Sequence, residues 1–168
     1  VWVGRPVGWS LPFAASWPID AIVAENGAVA LLREPSGQVR KLYQQTDAKQ
    51  RLADYQRLQQ VAQHIVRSVP GASLAQDSAG RETDIAIDHS EFTQLPPAQI
   101  ETVLQLMRSA GLHASVSSIH INGWLGEHNK LQGAHWIVQT LLQRRLEQEL
   151  DAWAYIGDSS DDHPNTPN

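Results

Sequence analysis

Near its end the chain reads Tyr155-Ile156-Gly157-Asp158-Ser159-Ser160-Asp161-Asp162. The apolar run Trp153-Ala154-Tyr155-Ile156 predicts a short strand, and Gly157-Asp158 predicts the turn that ends it. A carboxylate placed directly after a strand is held on a stiff frame, and the turn returns a second one, Asp162, toward it. Hard cations such as magnesium take oxygen ligands on a rigid frame and keep several waters. An ordinary acidic turn, or a helix start capped by Asp158, explains the same residues without a metal. Lys130 is the next signal. It opens a long predicted helix, where an ammonium opposes the helix dipole. Beside a phosphate, a fixed ammonium neutralises charge and holds the group in line; a solvated first-turn lysine is the commoner outcome. Gly4-Arg5-Pro6 and Glu25-Asn26-Gly27-Ala28 are weaker signals, since Arg5 can be a surface charge and Asn26-Gly27 a plain hairpin turn. His120, His128 and His135 lie close in sequence, the last two at two-turn spacing, but without a His-Glu-x-x-His pattern. Polar loop and helix-surface histidines are the preferred reading. His120 and Asn122 remain candidates for contact with a substrate. Of the six tryptophans, Trp124 is the best candidate for stacking on a sugar ring.

The elements that must position these residues follow from periodicity and punctuation. Gly8 to Trp17 predicts a short helix, and Asp20 to Ala24 a buried strand ending at Glu25-Asn26-Gly27. Residues 28–33 and 38–43 predict a hairpin around Pro35-Ser36-Gly37. Thr46 to Ser68 predicts a long helix with Leu52, Tyr55, Leu58, Ala62 and Ile65 on one face, stopped by Pro70-Gly71. Thr83 to Asp88 alternates as a half-buried strand, which places Asp84 and Asp88 toward solvent. Pro97 to Ala110 predicts a second helix closed by Gly111. His113 to Ile121 alternates as one further strand. Asn129 to Leu150 predicts a third long helix with Leu131, Ala134, Val138, Leu141, Leu142 and Leu146 inward. The order is that of an α/β or α+β protein. In open α/β sheets ligands sit at strand ends, which is where both acidic and Glu-Asn-Gly turns fall.

The 168 residues suffice for one domain or parts of two small ones. Hydrophobic residues at 42% and charged residues at 18% are a globular composition. A net charge of -5 argues against a nucleic-acid surface. With no cysteine, disulfides and thiolate metal sites are excluded. No run of 18 or more apolar residues predicts a membrane span, and the start, Val1-Trp2-Val3-Gly4-Arg5-Pro6, lacks the pattern of a signal peptide.

In their order and spacing, Gly4-Arg5-Pro6, Trp17 to Ala28, Ser117 to Trp124 with Lys130, and Gly157 to Asp162 resemble the haloacid dehalogenase superfamily, subfamily IIB, which includes sugar-phosphate phosphatases. The resemblance implies an α/β fold: a partial Rossmann-like core with an inserted α+β cap. Residues 1–27 and 122–168 would be core fragments, and 28–121 the cap. It implies a cytoplasmic, magnesium-dependent phosphatase acting on a small phosphorylated metabolite such as a sugar phosphate, with no nucleic-acid or membrane partner. It assigns the catalytic lysine to Lys130, the metal ligands to Asp158 and Asp162, and substrate contacts to Arg5, Asn26, His120 and Asn122. Three departures accompany it. No Asp-x-Asp motif, which in the family carries the phosphate-attacking aspartate on a strand that would precede Val1, occurs in the sequence. Val3 stands where the family has a hydroxyl residue, and Asp161 where asparagine is more usual. The chain by itself is therefore expected to be inactive as a phosphatase, and a non-catalytic module binding a phosphorylated ligand or a partner is the alternative.

Overall fold

The computed structural model describes residues 1–154. The described residues divide into two units, one formed by residues 1–46 and 128–154, the other by residues 47–127.

In the first unit, β1 (Ala21–Ala24), β2 (Val29–Arg33) and β3 (Val39–Tyr43) form an antiparallel sheet in that order. Residues 1–5 run beside β1 in parallel: the Val3 amide donates to the Val23 carbonyl at 2.9 Å, and Val23 donates to Val1 at 2.8 Å. The sequence Ala-Ile-Val-Ala of β1 has no polar face because both of its faces are covered. Ile22 and Ala24, with Val29 and Leu31 of β2, pack on Val7 and Ala14 of α1 (Val7–Ser16). Ala21, Val23, Ala30 and Leu32 pack on Ile137 of α4 (Lys130–Leu142). The unit is thus a helix–sheet–helix sandwich. Grouped by sequence with the middle of the chain, the 28–43 hairpin instead pairs in register with β1, from Ala21 opposite Leu32 to Ala24 opposite Val29.

In the second unit, α2 (Ala48–Ser68) and α3 (Pro97–Ser109) cover one face of a four-stranded antiparallel sheet. Its strands are β4 (Ser73–Leu74), β5 (Asp84–Asp88), β6 (His113–Val116) and β7 (His120–Trp124), in the order β4-β5-β7-β6. Asp47 caps α2, its side chain accepting from the Lys49 amide at 2.8 Å. Leu58, Ala62 and Ile65 of α2 and Val103, Leu104 and Met107 of α3 meet Ile85, Ile87 and Ile121 of the sheet.

Four expectations are corrected. The single strand over 113–121 is two, because Ser117 turns the chain: its hydroxyl donates to the His120 carbonyl at 3.0 Å and accepts from the His120 amide at 3.1 Å. The last helix ends at Leu142 rather than Leu150, since Gln143 adopts the left-handed conformation that closes a helix; two 3-10 turns follow it. Leu131 and Leu52 are exposed, because the apolar stripe on each helix is narrower than the spacing of leucines suggests. Asp84 and Asp88, expected at the solvent face of a half-buried strand, are both buried.

The position of Leu52 gives a direct test within one helix. Leu58→Ala should cost about 2–5 kcal/mol of stability through the cavity it leaves, and Leu52→Ala less than about 0.5 kcal/mol, read by urea denaturation of each variant.

Candidate functional site

Glu25, Asn26 and Gly27 form a 3-10 turn after β1 in which Glu25 and Asn26 both have positive φ, 49° and 56°. Positive φ in non-glycine residues is costly and persists where the surroundings fix it. The Glu25 side chain is fully buried and its Oε1 accepts from the Val7 amide at 2.9 Å. That amide is the first free N–H of α1, whose preceding residue, Pro6, offers no side-chain cap. A carboxylate at a helix N-terminus is favoured both by the free donor and by the dipole. The Glu25 amide in turn donates to the Arg5 carbonyl at 3.1 Å, so the Gly4-Arg5 loop and the Glu-Asn-Gly turn form one rigid piece.

The same turn is pressed against the start of α4. A Cβ on Gly27 would lie 2.2 Å from the Asn129 carbonyl oxygen, and a Cβ on Gly133 2.7 Å from the Gly27 Cα. Only two glycines facing each other allow this approach. On the other side Gln44 Nε2 donates to the Gly27 carbonyl at 2.8 Å. Asn129 caps α4, its Oδ1 accepting from the Gln132 amide at 2.9 Å. Lys130 is therefore the first helical residue of α4, and it is half-buried. Asn26 is 5% exposed, with its Oδ1 3.2 Å from where a Cβ on Gly4 would sit. Arg5 packs its guanidinium on the Trp9 ring at 5.6 Å from the centroid. Four of the residues singled out by sequence, Gly4, Arg5, Asn26 and Gly27, thus lie in one cluster built on the end of β1, and the helix that opens at Lys130 begins against it. Asp158 and Asp162 lie outside the described residues, as does half of the strand expected over 153–156. Trp153 itself is not in a strand.

His120 and Asn122 belong to the second unit. They lie on β7, 3% and 4% exposed, on the sheet face away from α2 and α3. Strand alternation sets that direction, since Ile121 and Gly123 meet the helix side. His120 Nε2 lies 2.8 Å from Glu91 Oε2. Glu91 is positioned by Asp88, whose carboxylate accepts from the Glu91 and Phe92 amides at 2.9 Å each. His135 of the first unit pairs with Glu147 at 3.0 Å. Each of these histidines has its own carboxylate. Among the described residues no group of three acids or histidines is arranged to hold a metal.

Several contributors were not singled out from sequence: Glu25 as a helix cap, Gln44, Gly133, and the Asp88–Glu91 pair. Gly133 carried a signal, since glycine in a helix interior costs about 1 kcal/mol relative to alanine and needs a packing reason. The others depend on contacts between distant segments.

No family model matches the sequence, and no curated protein matches it. Solved structures do share the fold. The sucrose-phosphatase of Synechocystis sp. PCC6803, solved with sucrose and phosphate, superposes with a TM-score of 0.58 at 14% identity, over 83% of this chain and 55% of that one. The C-terminal domain of C. albicans trehalose-6-phosphate phosphatase does so with a TM-score of 0.56 at 13% identity, over 85% of this chain and 47% of that one. A Plasmodium falciparum IMP-nucleotidase gives 0.50 at 10% identity, over 80% and 42%. The chain spans about half the length of these structures. The chain shares its mixed α/β fold with these structures.

The packing argument makes two stability predictions. Gly133→Ala should destabilise by about 1–3 kcal/mol by forcing α4 off the turn. Glu25→Ala should cost about 1.5–3 kcal/mol through the lost charged hydrogen bond to the start of α1. Both are read by chemical denaturation, and a neutral result for either would contradict the packing described.

Proposed function

We propose that this chain carries the lysine-and-metal half of a magnesium-dependent phosphatase site, with residues 47–127 as its cap, and that it takes a small phosphorylated metabolite. The observation that carries the reading is the seating of the N-terminus of α4, which begins at Lys130, on the Glu25–Gly27 turn beside Gly4 and Arg5. This sets the backbone of Arg5 and the N-terminus of α4 at the end of a buried strand, and helix N-termini and strand ends are where anions bind in open α/β sheets. The shared fold with sugar-phosphate and nucleotide phosphatases supports the same class of reaction.

In this reading Lys130 neutralises and orients the phosphoryl group, and Arg5 and Asn26 line its approach. Asp158 and Asp162 offer hard oxygen donors four residues apart, a donor set that suits magnesium. Magnesium, when bound, offsets the negative charge on phosphoryl oxygens. The 168 residues contain no Asp-x-Asp motif, and Val3 supplies no hydroxyl. Nucleophilic attack on phosphorus therefore has no assigned carboxylate among them, which favours binding without turnover by this chain alone.

Isothermal titration of the 168-residue chain with inorganic phosphate, with and without magnesium, tests the reading. Phosphate should bind only with magnesium present. Lys130→Ala should weaken it by about tenfold or more, and Asp158→Asn with Asp162→Asn should remove the magnesium dependence. Binding indifferent to magnesium and to Lys130 would overturn the assignment. Release of phosphate from sucrose-6-phosphate above background by the pure chain would overturn its inactivity.

A further inference from the structure

The first unit holds a cleft of about 210 Å3 between the edge of its sheet and the C-terminal half of α4. Ile137 and Leu141 of α4, Ile19 ahead of β1, and the rings of Trp2 and Trp153 line it. In the stretch that runs beside β1, alternation turns Val3 toward α1 and Trp2 toward α4. The parallel pairing of residue 2 with Val23 fixes that ring in place. Trp153 is held by Arg144, whose guanidinium lies 5.3 Å from the ring centroid and pairs with Glu149. The cleft is remote from the Glu25–Gly27 turn. Ile137 and Leu141 lie seven and eleven residues beyond Lys130, about 10–17 Å along the helix axis, and Ile19 precedes β1 where Glu25 follows it.

Trp2 Nε1 and Trp153 Nε1 are both buried, and among the described residues neither finds an acceptor. Buried donors are nearly always paired, so two orphans on one cleft call for a bound water or a ligand acceptor. Water suits this cleft poorly. It needs two to four polar partners, and an indole N–H is only a donor. A water accepting from both rings would still have its own two hydrogens to place. Asp20 is the one charged side chain among the lining residues, and it is exposed; apart from it and the two indoles, the lining side chains are apolar. Lined in this way, the cleft matches a molecule that accepts hydrogen bonds without having to donate any.

From the cleft and the two orphaned donors that line it, we propose a second binding site, for a small uncharged carbonyl compound such as a ketone, ester or lactone. The carbonyl oxygen has two lone pairs and accepts from the indole N–H groups. The apolar body of the ligand packs on Ile19, Ile137 and Leu141, where burial of its surface supplies most of the affinity. The volume, below the roughly 300 Å3 at which clefts for drug-sized ligands begin, limits the ligand to one ring or a short chain. An anion is disfavoured, because the only charge among the lining side chains is the carboxylate of Asp20. The site therefore selects against the phosphorylated ligand of the proposed function and does not depend on that reading.

NMR titration of the 168-residue chain with cyclohexanone, read at the indole N–H signals, tests it. Trp2→Phe and Trp153→Phe assign the two signals by their loss. Cyclohexanone should move both saturably and leave those of Trp9 and Trp17, which are exposed on and just after α1, in place. Trp2→Phe, followed at the Trp153 signal, should weaken binding by about three- to tenfold, the worth of one neutral hydrogen bond. Trp153→Phe, followed at the Trp2 signal, should do the same. Cyclohexanecarboxylate, of similar shape but charged, should bind at least about tenfold more weakly than the ketone. Saturable movement of fewer than both signals, equal movement at Trp9 and Trp17, affinity indifferent to both substitutions, or binding of the carboxylate as tight as that of the ketone would each overturn the proposal.

Discussion

The close passage of Gly27 over the first turn of α4 governs the first unit. Side chains at Gly27 or Gly133 would push the helix away by the width of a methyl group, and with it Asn129 and Lys130. The turn itself stays in its left-handed conformation because Glu25 is tied to the start of α1 and its amide to the Arg5 carbonyl. A strained turn, a helix cap and a helix–helix-free glycine contact therefore stand or fall together. Removing any one loosens the frame on which the candidate phosphate-side residues sit. The strain is stored where a ligand site is proposed, a common place for it.

The second unit solves a different problem with the same economy. Its sheet has one face devoted to an apolar core under α2 and α3. The other face buries aspartates, a histidine and an asparagine, which is expensive unless each is paired. Arg81, two backbone amides and Glu91 do most of that pairing. Polar residues buried and satisfied in this way make a stiff face with a defined pattern of donors and acceptors.

Much of the fold was legible in the sequence. The 3.6-residue pattern of Leu58, Ala62 and Ile65 and of Val103, Leu104 and Met107 marked α2 and α3, and the Ala-Ile-Val-Ala run marked β1, because local burial imposes local periodicity. What was misread depended on distant partners. Alternation over 83–88 correctly gave a strand but could not tell a solvated aspartate from one paired to Arg81. A continuous polar–apolar pattern over 113–121 hid the Ser117 turn, whose signal is a single hydroxyl bonded to both backbone groups of His120. The leucines beyond 142 suggested more helix than Gln143 permits. The candidate site was legible as motifs at Gly4-Arg5, Glu25-Asn26-Gly27 and Lys130, but the glycine contact that joins them was not, since Gly133 lies more than 100 residues from Gly27. Asp158 and Asp162 remain where the sequence reading left them, as proposed metal ligands.

In the proposed function, a metal held by Asp158 and Asp162 acts beside the Glu25–Gly27 turn and the start of α4. Manganese in place of magnesium is the most direct probe, because its unpaired electrons broaden the NMR signals of nearby amides. Stoichiometric manganese should broaden the amides of Asn26, Gly27 and Lys130 strongly and those of Glu34 and Arg40 little, and Asp158→Asn should abolish the effect. Broadening that spares Asn26, Gly27 and Lys130, or that persists undiminished in Asp158→Asn, would contradict the account.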